Sequence, residues 1–191
     1  MKYICHELID RFSIAVIKHC LVELADSKRT QEFSTVAELI VEQGAIRRNL
    51  MAILSSVRNE TSAMPIGKWL ADLAETTVKL RFNEKCCDPD HPITVSSINR
   101  QIEEANLRGL LKMAGDPWWE ELAKLTTRLV EVNLDIANLE RLLRRGGETN
   151  MSVQEIANCA IAVRNANNGR LELKKQLRLL IDPELSECSL R

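Results

Sequence analysis

Aromatic residues are scarce in this 191-residue chain, which holds only Tyr3, Phe12, Phe33, Trp69, Phe82, Trp118 and Trp119. Its core must be assembled mainly from Leu, Ile, Val and Ala, a mixture that favours helices packed on helices. Net charge is lacking as well: 26 basic and 27 acidic residues leave −1. A polyanion meets no overall attractive field, so duplex nucleic acid is not an expected partner. Near the N-terminus the longest uncharged stretch is 12–17, too short for a signal sequence or for the roughly 30 Å of a bilayer. Neither secretion nor a membrane partner is expected. The six cysteines, Cys5, Cys20, Cys86, Cys87, Cys159 and Cys188, do not form a disulfide framework. They read as reduced thiols, which places the chain in a cytosol.

Several catalytic signatures are missing too. There is no glycine-rich phosphate loop, no Gly-x-Ser-x-Gly elbow and no Glu-x-x-His pair of the kind that ferritin-like di-iron sites need. Cys86, Cys87, Asp90 and His91 crowd together, but adjacent cysteines do not match the spaced pairs of a zinc site. No cofactor, no metal and no catalytic residue is expected.

What the chain does have is helical periodicity. Apolar residues make up 45% and charged residues 28%, an ordinary globular balance, and the length fits one domain. Apolar positions recur every three or four residues almost throughout, without alternating runs. The expected fold is an all-α, single-domain bundle of about six long antiparallel helices over residues 1–182, with a flexible tail at 183–191. The first helix is expected over 5–25. The second should begin near Ser34 or Thr35, where Thr35 and Glu38 have capping-box spacing, and run to about Asn59. Pro65 suits the first position of a third helix ending near Phe82, before a loop at 83–92. A fourth covers about 96–113. The fifth, over 118–145 with Pro117 opening it, ends at Gly146 and Gly147, with Arg141, Arg144 and Arg145 complementing its dipole. Ser152 and Glu155 form a second capping box that opens the last helix, expected to reach Ile181. Trp118 and Trp119 suggest one ring in the core and one partly exposed, or an anchor for a partner.

Functional information lies where polar side chains interrupt apolar faces. In the last helix Ile156, Ala160, Val163, Asn167, Arg170, Lys174 and Leu177 share one face whose middle is polar and basic. Buried cations are costly unless paired, so this face needs carboxylates, a water-filled cavity or an anionic ligand. In the fifth helix Leu122, Leu125, Leu129, Val132, Ile136, Leu139 and Leu143 form a core seam flanked by Asn133 and Glu140. Glu140 is the expected partner of Arg170 or Lys174. In the first helix Asp10, expected to be half buried, heads a stripe of Ile14, Ile17, Leu21 and Leu24. His6 lies one turn earlier, and Ser13 and Lys18 border the stripe, Lys18 reaching a cavity edge on its flexible stem.

At these residues the chain resembles a family of uncharacterised all-helical proteins of bacteria and viruses, classed as a domain of unknown function. The matching stretches run from Glu7 to Lys18 (with Asp10 and Ser13), from Val132 to Arg144 (with Asn133, Ile136 and Glu140), and from Asn167 to Lys174 (with Arg170). The resemblance implies that Asp10, Lys18, Asn133, Glu140, Asn167, Arg170 and Lys174 belong to one recurring polar constellation, and it implies no activity. The chain departs from the family at Ala137, where an aromatic is usual, and at Asn168, where an Asp is usual.

Three readings follow. In the first, these seven residues bind a small anion, nucleotide-like or phosphorylated, and sequester it. Arg170 and Lys174 meet its charge, Asn133 and Asn167 orient it, and Asp10 and Glu140 hold the cations. In the second, the network is purely structural and exposed helix faces make oligomer contacts. In the third, Glu7, Asp10 and Glu140 hold magnesium for phosphohydrolysis.

Overall fold

Six helices carry the apolar periodicity in the computed structural model, which describes residues 5–25, 33–54, 65–86, 97–112, 117–145 and 151–181. They are α1 (Cys5–Ala25), α2 (Phe33–Leu54), α3 (Ile66–Cys86), α4 (Ser97–Lys112), α5 (Pro117–Arg145) and α6 (Val153–Ile181). Among the described residues there is no strand, and the fold is the expected all-α bundle. The tail at 183–191, the Gly146 and Gly147 stop, and Cys87, Asp90 and His91 lie outside the described residues.

Helix starts follow local chemistry at two of the three expected places. At α6 the Glu155 amide donates to Ser152 Oγ at 3.3 Å, while the Ser152 amide donates to Glu155 Oε2 at 2.7 Å. This reciprocal exchange satisfies donors that the first turn leaves unpaired. At α3, Pro65 stands just outside the helix, and its carbonyl accepts the Trp69 amide at 3.0 Å. Its role is that of the cap, one residue earlier than its missing N–H alone suggests. At the third, α2 is described from Phe33, one residue before the expected start, and the side chain of Thr35 lies outside the described residues. The end of α3 also differs from expectation, because the helix continues through Asn83 to Cys86 before the proline-rich segment can break it.

The central element is α3, which packs against α1, α2, α4 and α5. Ile66, Trp69, Leu70, Ala71, Leu73, Ala74, Val78 and Phe82 are all buried. A helix apolar on nearly every side belongs in the middle of a bundle. A polar row on it, Lys68, Asp72, Glu75 and Lys79, follows helical spacing and is zipped by ion pairs from Lys68 to Asp72 at 2.8 Å and Lys79 to Glu75 at 2.7 Å. Arg47 of α2 donates to Asp72 and lies 3.9 Å from Glu75, tying α2 to this row.

Two devices fix how closely the helices approach. Gly67 meets α2 so tightly that an added Cβ would lie 2.6 Å from the Leu50 carbonyl carbon and oxygen. Tryptophan indoles close the ends of two other helices. Trp69 Nε1 donates to the Leu110 carbonyl of α4 at 2.9 Å, and Trp118 Nε1 to the Leu180 carbonyl of α6 at 3.0 Å. Both acceptors belong to last turns, where carbonyls lack intrahelical partners. Trp119 stands edge-on between the two, its ring 4.8 Å from Trp69 and 6.0 Å from Trp118. Trp118 and Trp119 are thus both half-buried and packed against the core, so of the expected core ring and partly exposed ring only the second description fits.

The α2–α3 contact yields a direct test. Gly67→Ala forces Cβ into the α2 backbone, which cannot give way as a side-chain tip can, and should cost about 1–3 kcal/mol, read as a lower urea midpoint with unchanged slope. An unchanged midpoint would show that the two helices are not held at this distance.

Candidate functional site

Helices α1, α5 and α6 pack against one another, and their misplaced polar side chains meet at Asp10. The Asp10 side chain is only 1% exposed, yet both carboxylate oxygens are occupied. Arg170 of α6 grips it with a two-pronged contact, Nε to Oδ1 at 2.9 Å and Nη2 to Oδ2 at 2.6 Å. Asn133 of α5 donates Nδ2 to Oδ1 at 3.0 Å and to Ser13 Oγ at 2.7 Å. Ser13 in turn donates to the Asp10 carbonyl at 2.8 Å. Lys174, one turn beyond Arg170, places Nζ 2.7 Å from Glu7 Oε2 and 3.4 Å from Asp10 Oδ2. His6 completes the row on α1, its Nε2 3.6 Å from Glu7 Oε1 and its Nδ1 buried without a partner.

Four of the seven expected residues are brought together: Asp10, Asn133, Arg170 and Lys174. The other three are not. Lys18 is exposed on α1, two turns from Asp10. Asn167 turns back on its own helix and donates to the Val163 carbonyl at 3.1 Å. Glu140 pairs with Arg144 at 3.3 Å, one turn along α5, and reaches Arg170 only through its charge. The partners of Arg170 and Lys174 are therefore Asp10 and Glu7, not Glu140. Asp10 itself is fully buried rather than half buried. Glu7 and Ser13 were readable as members, because they stand three residues before and after Asp10 and so share its face.

Burial by itself would raise the Asp10 pKa. Hydrogen bonds from Arg170 and Asn133, with the charges of Arg170 and Lys174, outweigh it and hold the carboxyl below its ordinary value. The bond to Asp10 raises the Arg170 pKa against the opposing effect of burial. For His6, burial dominates and lowers the pKa; Lys174 and Arg178 reinforce this, and Glu7 and Asp10 oppose it. Cys5, beside His6, is a buried free thiol pushed up to about 12 by burial, so it is no nucleophile.

Among the described residues no group of three or more His, Cys, Asp or Glu is placed to hold a metal ion, and no helix is long and apolar enough to cross a membrane. Compared with protein-family models, with curated proteins and with solved structures, the chain matches none. The geometry has a plain electrostatic content. Two cations face two carboxylates, Asp10 is locked in its anionic form, and the groups lie within one turn of each other on each helix.

Two predictions follow from these contacts. Arg170→Met leaves the buried Asp10 charge without its main partner and should cost about 3–5 kcal/mol. Adding Asp10→Asn removes that stranded charge, so the double variant should be more stable than additivity allows, as a double-mutant cycle in urea would measure. Acid should also weaken the fold in two steps. His6 has a depressed pKa in the folded chain, so the unfolded chain takes up its proton first and stability falls as pH drops below the ordinary 6.5. Asp10 adds a second loss below its ordinary 3.8. His6→Gln should flatten the first step and leave the second, measured as unfolding free energy against pH; identical profiles would contradict the assignment.

Proposed function

We propose that this chain is an interaction protein in which the Asp10 cluster is a structural lock, and that the α5–α6 hairpin held by the lock presents the working surface. The observation that carries this reading is the internal saturation of the two cations. Arg170 is taken by Asp10 and Lys174 by Glu7. An anionic ligand would have to displace carboxylates that are already in place, at a cost comparable to what it gains.

Exposure along the two helices supports the same view. After Ile136 no described residue of α5 is buried, and before Leu173 none of α6 is. Asn133, Arg170 and Lys174 stand where the hairpin leaves the core, so the cluster grips its root. The lock fixes the register of α6 against α1, as buried polar groups do best.

A second reading keeps a small anion at the outer half of the cluster. It draws on the partial exposure of the Glu7 carboxylate, 42%, and on the unpartnered Nδ1 of His6. The two readings separate on Glu7→Gln, which weakens the hold on Lys174. Under the lock reading, phosphate and a nucleotide panel leave the melting temperature unchanged for both wild type and Glu7→Gln. Stabilisation by a nucleotide that is larger in Glu7→Gln and lost in Lys174→Met would overturn it in favour of the anion site.

A further inference from the structure

Helix α6 changes character at Arg170. From there to its C-terminus Arg170 is held by Asp10, Lys174 by Glu7, and Leu173, Leu177 and Ile181 are buried. Over residues 153–169 none is buried, and the side chains on the same side as Leu173 and Leu177, namely Cys159, Ala162, Val163 and Ala166, are small and only half-buried. The charges of this half are Glu155, engaged by Ser152, and Arg164, nine residues on, so no ion pair between neighbouring turns braces it. The two halves meet at Asn165, Ala166, Asn167, Asn168 and Gly169, a run in which only Ala166 is a good helix former. Packing does not require the glycine, since a Cβ at Gly169 would meet nothing within 4 Å. Asn167 donates its side-chain amide to the Val163 carbonyl at 3.1 Å, a local bond of the kind that competes with the helical ladder. The C-terminal end of α5 is built differently: over 137–145 it is Ala, Leu, Glu and Arg apart from Asn138, and Glu140 pairs with Arg144 one turn on.

We infer that residues 153–169 open and close as a unit of their own, with the break at 165–169, while 170–181 stay locked to α1 in both states. The inference goes beyond the interaction reading above and stands without it. What it adds is that the surface offered by the first half of α6 exists in the closed state and is withdrawn in the open one. A segment opens separately when it gives up few buried apolar contacts and its backbone hydrogen bonds face solvent. Opening here removes no buried side chain of α6 from the core and leaves the Asp10 fork intact. The break falls at the weak run because the next residue, Arg170, is already fixed. The closed state is a defined helix all the same, since the reciprocal bonds of Ser152 and Glu155 satisfy donors of its first turn. The device is thus a capped segment joined to a rigid root through a stretch of poor helix formers.

Native-state hydrogen exchange of the full chain tests this. Amides 156–169 should exchange faster than those of 173–181 and depend only weakly on low urea, whereas 173–181 should exchange through global unfolding with its full urea dependence. Gly169→Ala, at an open position, should raise the protection of 156–169 by about fivefold, the difference in helix propensity between the two residues. Gly109→Ala in α4 is the matched control, because a Cβ there also meets nothing within 4 Å. It stabilises a helix that stays formed when 153–169 open, so it should leave the protection of 156–169 unchanged. Uniform protection along 156–181, no gain at 156–169 in Gly169→Ala, or an equal gain there from Gly109→Ala would each overturn the inference. None of these outcomes bears on the lock, which is judged by the anion panel on Glu7→Gln.

Discussion

A carboxylate out of reach of water must be answered by cations or hydrogen-bond donors, and at Asp10 the answers come from two other helices. The Arg170 fork and the Asn133 amide occupy its oxygens, and Lys174 spans it and Glu7. Sliding α6 by one residue along α1 would carry Arg170 about 1.5 Å along the axis and turn it by more than a quarter circle. The same turn would carry Leu173, Leu177 and Ile181 off the core, so the apolar contacts and the fork resist the slip together. The polar and apolar contacts of α6 thus agree on a single register against α1.

The rest of the bundle is arranged around a different constraint. With few aromatics, α3 is buried largely by aliphatic neighbours, and a close backbone approach at Gly67 brings α2 in beside it. Trp69 and Trp118 stand at helix ends, where each indole fills volume and satisfies a carbonyl that the last turn leaves open. Electrostatics outside the Asp10 cluster is mostly of the surface kind, as in the Lys68, Asp72, Glu75 and Lys79 row, and contributes little per pair. The two polar systems thus differ in setting: one lies along a part-exposed helix face, and the other surrounds a carboxylate that is 1% exposed.

The hairpin beyond the cluster carries the contrast further. On α5, the seam that is fully buried at Leu122 and Leu129 becomes half-buried by Leu139 and Leu143. On α6, Ile156 and Ala160, which share a helix face with Leu177, are exposed while Leu177 is buried. The continuous face expected from spacing is real as a line on the helix, but the core it should pack against ends part of the way along.

The sequence by itself determined the fold class, the number of helices and most of their ends. Those depend on apolar spacing and on local side chains such as Ser152 and Glu155, whose partners lie a few residues away. It also picked out Asp10, Asn133, Arg170 and Lys174, because polar groups on apolar faces are conspicuous. Only the tertiary structure decided who pairs with whom. Glu140 and Glu7 are equally good carboxylates in the sequence, but Lys174 takes Glu7 because α6 crosses α1 at that level, while Glu140 is left to Arg144. Gly67 was silent for the same reason: a glycine matters when another backbone is close, and closeness between α2 and α3 is not a property of either helix alone.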